Sequence, residues 1–307
     1  MEASECYTGG GGTTLAGRRR IGFQLKFATD ELDNYLKDHE SVWPEMQEAL
    51  VRSGWYNYSL FFRADGLAFG YFETDAANFA EACARMEAMP VNARWQAAMA
   101  KYTPAKTSPI DAAQELTHYF YLGSDRTFDS VPASEAAAAA FMQWGSPSSF
   151  TGGGGTTLAG HRRVAFQMKF ATEDLDSYLK DHEAVWPEMQ QALRTAGWHN
   201  YSLFYRADGL AFGYFETDAA NFAEACARME AAPVNARWQA AMSKYTPAQT
   251  SPVDAAQELT HYFYLGSNRT MQFEAVMKKP AAKKPVVKRK LKPKVSRMKR
   301  PAARKGN

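Results

Sequence analysis

The sequence predicts an α+β fold in which two ferredoxin-like βαββαβ units pack sheet to sheet as an intramolecular pseudo-dimer. A duplication is the first sign. Residues 8–127 and 151–270 align without a gap at a constant offset of 143, with 19 differences over 120 positions. Such a unit is too long for a solenoid repeat and has the size of a small domain. The second sign is the order of hydrophobic periods within a copy, which alternates between strand and helix spacing as βαββαβ. The third is a sheet apolar on both faces, of which helices can cover only one.

In the first copy Ile21, Phe23, Leu25 and Phe27 alternate with polar or small residues, a period-two strand. Thr29, Asp30 and Glu31 supply a cap and two acids to a helix start, after which Leu32, Tyr35, Leu36, His39, Trp43, Met46 and Leu50 recur at helical spacing. Pro44 cannot donate to the carbonyl of Glu40, so the helix should restart just after His39, and Gly54 should end it. Two aromatic-rich strands, 55–63 and 67–74, flank the tight turn Ala64-Asp65-Gly66. A helix over 76–89 follows, then a shorter one opened by Pro90, and a final strand over 115–122. Tyr56, Tyr58, Leu60 and Phe62 fall on one face of the second strand and Phe61 on the other, while Phe72 opposes Phe69 and Tyr71. The second face should therefore meet the sheet of the other copy. Pairing with a copy from another chain is the alternative.

The 307 residues, 46% of them apolar, are ample for two packed cores. The longest purely apolar run, 136–142, is far too short to span a bilayer, and the N-terminal residues resemble neither a secretory signal nor a transit peptide. A cytoplasmic protein without a membrane partner is expected. Cys6, Cys83 and Cys226 cannot all pair, and the last two occupy the same repeat position, so reduced thiols are expected. The expected organisation is a flexible 1–18, copies at 19–123 and 161–269, a Gly/Ser/Ala-rich linker at 124–160 with a short helix near 134–144, and a disordered basic tail at 270–307.

Charge is divided unevenly. Residues 278–307 hold 14 Lys and Arg and no acid, leaving 22 basic against 33 acidic residues in the rest. The acidic body is a poor nucleic-acid ligand, whereas the tail can contact nucleic acid or another polyanion. The tail resembles linker-histone tails and bipartite nuclear-import signals, so a non-catalytic nuclear protein is the alternative reading. That alternative predicts salt-sensitive DNA or RNA binding lost on deleting 278–307; equal binding by the truncated chain overturns it.

His39 is the sharpest chemical feature, an imidazole on an apolar stripe with Tyr35 one turn before it and Trp43 one turn after. Histidine exchanges protons near neutral pH, which makes His39 a candidate general acid; a core histidine bonded to a tyrosine fits the same pattern. Tyr35, Tyr58 and Trp95 offer flat apolar faces edged by donors, as sugar clefts do, although core packing also explains them. Glu73 and Glu45 read as solvated or capping groups. No HxxxH or CxxC occurs, and TGGGGTT lacks the GK[ST] of a phosphate loop, so neither metal nor cofactor is expected. Cys83 reads as a small packed thiol.

DHESVWPEM, GWYNYSLF, LAFGYFE, NARWQAAM and SPIDAAQELTHYFYL together resemble the L-rhamnose mutarotase family over about residues 19–123 and again 162–266. The resemblance implies an intramolecular dimeric α+β barrel and an aldose 1-epimerase acting on L-rhamnose or a related deoxy sugar. It further implies proton-donating His39 and His182 and sugar contacts from Tyr35, Tyr58, Trp95, Tyr178, Tyr201 and Trp238, with no cofactor. Bacterial family members carry two adjacent tryptophans after Arg in the last helix. Here only Trp95 and Trp238 are present, followed by Gln96 and Gln239, which exchanges an apolar wall for a hydrogen-bonding one.

Overall fold

The computed structural model describes residues 14, 17–106, 109, 112–122, 161–246 and 256–265. The linker, the basic tail, Cys6 and most of the N-terminal segment lie outside the described residues. In the first copy β1 (Arg19–Lys26), α1 (Leu32–His39), α2 (Pro44–Arg52), β2 (Tyr56–Phe62), β3 (Leu67–Thr74), α3 (Phe79–Glu87), α4 (Pro90–Met99) and β4 (Gln114–Tyr121) follow the expected order. The second repeats it as β5 (Arg162–Lys169), α5 (Leu175–His182), α6 (Pro187–Thr195), β6 (His199–Tyr205), β7 (Leu210–Thr217), α7 (Phe222–Glu230) and α8 (Pro233–Met242), with its last strand in two pieces, β8 (Gln257–Glu258) and β9 (Thr260–Leu265). Among the described residues no helix is long and apolar enough to cross a membrane.

Local chemistry sets the breaks. Pro44 takes the first position of α2, where a missing N–H costs nothing, so α1 stops at His39 as expected. The expected Thr29 cap is not formed: residues 29–31 make a 3₁₀ turn without a side-chain cap, and α1 begins only at Leu32. The β2–β3 turn needs Gly66 at φ +84°, and the side chains of Arg63 and Asp65 pair across it at 2.5 Å. Gly70 has a different role. A Cβ there would lie 2.1 Å from the Phe23 ring, so the glycine lets that ring cross the strand.

The sheet has nine strands in the order β8-β5-β7-β6-β4-β1-β3-β2-β9. Its two ends are consecutive in the chain, because β8 and β9 are one strand interrupted at Leu259, whose N–H bonds the Ala165 carbonyl at 2.8 Å. The ring is thereby closed into a barrel. Closure rests on an exchange of last strands. β4 pairs with β1 through Gln114–Leu116 and then crosses to β6; β8 pairs with β5 and β9 crosses to β2.

Helices cover the outside of the barrel, and the expected sheet-to-sheet core fills its inside with Phe61, Phe69, Tyr71, Phe204, Phe212 and Tyr214. Tyr71 and Tyr214 stack at 3.8 Å. Beside them lies a polar interlock. Asn57 donates to Glu73 at 3.1 Å and to Glu216 at 2.9 Å, Asn200 donates to the same two carboxylates, and Arg163 and Arg20 donate to the two asparagine carbonyls. Asn57 and Asn200 reach this position from bulges, each at φ 48°. Glu73, read from sequence as solvated or capping, is instead buried, because β3 has buried residues on both faces. Glu45 is exposed, as expected.

Candidate active site

Each copy has a cavity of about 70 Å³ between the outer face of its strands and its helices. His39, Tyr35, Tyr58 and Trp95 all line the first; His182, Tyr178, Tyr201 and Trp238 all line the second. The structure thus gathers the histidine, two tyrosines and tryptophan proposed for each copy around one cavity. At the wall positions the two cavities share, the copies differ only at Leu25 and Met168.

His39 ends α1 as a buried ring, 6% exposed. Its Nδ1 lies 3.0 Å from the Tyr35 carbonyl oxygen. A carbonyl only accepts, so Nδ1 carries the hydrogen and a neutral ring keeps its lone pair on Nε2, for which no hydrogen bond is found among the described residues. Burial lowers the pKa to about 4, against the smaller upward pulls of that carbonyl and of Asp38. His182 is the same: 3.0 Å to the Tyr178 carbonyl and a pKa lowered by burial to about 4. These rings are neutral at pH 7. Desolvation thus favours the neutral, proton-accepting form of each imidazole.

The Tyr35 ring stacks on Phe27 at 3.8 Å and tilts against His39 at 4.1 Å. Its hydroxyl is bonded at 2.7 Å to that of Tyr262, a residue of the second copy. Tyr58 packs edge-on against Trp55 and Phe263, and burial raises its pKa well above the ordinary phenol value. Tyr58 therefore remains a protonated donor. Trp95 stands edge-on to His39 at 5.4 Å and to Trp43 at 5.2 Å, and Arg94 lies over the Trp43 ring.

Two sets of residues escaped sequence reasoning. Tyr262 and Phe263 complete the first site from the second copy, and Tyr119 and Phe120 complete the second from the first, because the last strands cross over. Asn92 is the other, a buried amide on α4 that accepts from Gln96 Nε2 at 3.1 Å and lines the cavity beside it. Its signal was readable: Asn92, Trp95 and Met99 share the buried face of α4, and an amide on an apolar stripe asks for a partner. Cys226 is buried against its cavity and Cys83 is partly buried. Among the described residues no group of three His, Cys, Asp or Glu side chains is placed to hold a metal ion.

A closed barrel of two βαββαβ units, with a histidine-bearing aromatic cavity under the helices of each, defines the dimeric α+β barrel class, here contained in one chain. The family model for L-rhamnose mutarotase matches residues 20–122 and again 163–265, so the chain belongs to that family, whose members are carbohydrate epimerases. An L-rhamnose mutarotase of Pectobacterium carotovorum is 34% identical over 104 residues, covering 34% of this chain and 97% of the relative. One of Oceanobacillus iheyensis is 29% identical over 105 residues, covering 34% and 98%. A crystal structure of an L-rhamnose mutarotase from Formosa agariphila aligns with 32% of this chain and 91% of its own at 21% identity and a TM-score of 0.26.

Proposed function

We propose that each copy is an aldose 1-epimerase site that interconverts the α and β anomers of L-rhamnose or a related deoxy sugar, with His39 and His182 moving the proton. The observation that carries this reading is the imidazole held at Nδ1 by a backbone carbonyl, leaving Nε2 as the acceptor in an aromatic-lined cavity. Nε2 accepts the proton of the anomeric hydroxyl as the bond from C1 to the ring oxygen breaks. The bonding pair moves to that oxygen, which takes a proton from the imidazolium or from the Tyr58 hydroxyl. The open aldehyde turns about C1–C2, and the reverse steps close the ring on its other face. Proton transfer of this kind contributes about 10²- to 10⁴-fold, enough for a reaction that already proceeds in water. Met46, Leu50, Met86 and Met99 provide a hydrocarbon lining suited to the methyl group of a 6-deoxy sugar.

The test is exchange between the α and β anomer signals of L-rhamnose in NMR. The intact chain should accelerate exchange, H39A and H182A should each remove about half of the acceleration, and the double variant should remove nearly all of it. Unchanged exchange across several 6-deoxy sugars with intact protein overturns the proposal.

A further inference from the structure

We infer that the amide pair Asn92–Gln96, with its equivalent Asn235–Gln239, selects the substrate by hydrogen-bonding a hydroxyl on the side of the pyranose away from the anomeric carbon. This inference rests on the epimerase reading and adds the part of the sugar that the site recognises. Asn92 and Asn235 are each 4% exposed and line the cavities. In both copies the glutamine Nε2 donates to the asparagine Oδ1 at 3.1 Å, which fixes the amide plane. The asparagine Nδ2 then carries no hydrogen bond among the described residues. These Nδ2 atoms are not among the sealed polar atoms that lack a partner, so each donor opens on its cavity, where a bound ligand can take its hydrogen bond. Much of the lining that shares the first cavity is hydrocarbon, Met46, Leu50, Met86 and Met99 among it, and offers no strong acceptor.

Position along α4 decides which part of the sugar is met. Trp95, the next cavity residue of the helix, stands edge-on to His39, the group that handles the anomeric hydroxyl. Asn92 lies three residues, about 4.5 Å along the axis, from Trp95, which assigns its amide to atoms across the ring from C1. A hydroxyl there takes the Nδ2 hydrogen, and a sugar lacking it leaves the donor buried and unpaired. Sites that bond a hydroxyl discriminate against its absence far more strongly than apolar walls discriminate by shape.

The experiment compares anomer exchange of L-rhamnose with that of its 3-deoxy and 4-deoxy analogues on the full chain. We expect at least about a tenfold loss of catalysed exchange with one analogue. The N92L/N235L variant should lose about as much with L-rhamnose and lose no more with that analogue. N92D/N235D, which keeps the shape and removes the amide hydrogens, should behave as the leucine variant does. Acceleration of L-rhamnose with equal rates for both analogues overturns this inference and leaves the epimerase reading intact; that comparison needs no variant to fold. A chain that accelerates no sugar overturns the epimerase reading itself. A variant that folds, by its thermal transition, yet keeps the discrimination assigns the amide pair to helix stability alone.

Discussion

The proton inventory of the site follows from one hydrogen bond. With Nδ1 committed to the Tyr35 carbonyl, the base in the proposed mechanism is the neutral ring, and burial extends that state down to a pKa of about 4. The catalysed exchange rate should therefore stay level from pH 8 to about pH 5 and fall roughly tenfold per unit below 4 as Nε2 is protonated. A rate that halves near pH 6.5, the value of an unburied imidazole, would sink the assignment. Stability should follow with a definite sign. Between pH 6.5 and 4 the unfolded histidines take up protons that the folded ones refuse, so stability is fully present above 6.5 and declines as pH falls towards 4. His182 and the buried His118 and His261, lowered to about 4 and about 3, act in the same direction. At about 1.4 kcal/mol per unit, each site ring withdraws roughly 3 kcal/mol by pH 4. Thermal midpoints across this range should fall less steeply in H39Q/H182Q than in the natural chain.

Elements whose boundaries are set by their own residues were legible in the sequence. Pro44 and Pro90 open helices because they occupy a first turn that needs no N–H, and Ala64-Asp65-Gly66 forms the expected hairpin turn. The stripe of Tyr35 and His39 was legible for the same reason, since residues four apart on a helix share a face. The last strand was not. Its alternating Leu116, His118, Phe120 and Leu122 specify a strand buried on one side, yet nothing in that pattern states which edge it joins. Both edges were available, β1 in its own copy and β6 in the other, and the strand uses each in turn. Thr29 failed as a cap for a local reason: the chain enters through a 3₁₀ turn whose first residue is Thr29 itself. The acidity of His39 was likewise out of reach, because burial sets it and the rings around it come from both copies, Tyr35 and Trp95 from its own and Tyr262 and Phe263 from the other, while its position on the helix was plain.

At the scale of the whole chain, the exchanged strands make each site a joint product of both copies. The Tyr35 hydroxyl bonds Tyr262, Tyr178 bonds Tyr119, and Arg63 and Arg206 donate to Gln167 and Gln24 across the join at 2.7 and 2.8 Å. A half-chain of residues 17–122 lacks a neighbour for the outer edge of β2 and half of β4, so it should pair with a second copy of itself. Sedimentation should show a dimer, and catalysed exchange per site should fall as dilution drives dissociation. A fully active monomer of 17–122 would refute the joint site. The two halves should also differ in strength. Gly22 faces the Phe204 ring, where a Cβ would lie 2.7 Å away, whereas the second copy has Ala165 at that position. A dimer of 161–265 sets an alanine methyl against both phenylalanine rings, while the natural chain sets it against Phe61 alone. Overpacking of this kind costs about 1–3 kcal/mol, so the 161–265 dimer should dissociate at higher protein concentration than the 17–122 dimer. G22A in the full chain should carry a destabilisation of the same order, read as a lowered thermal midpoint.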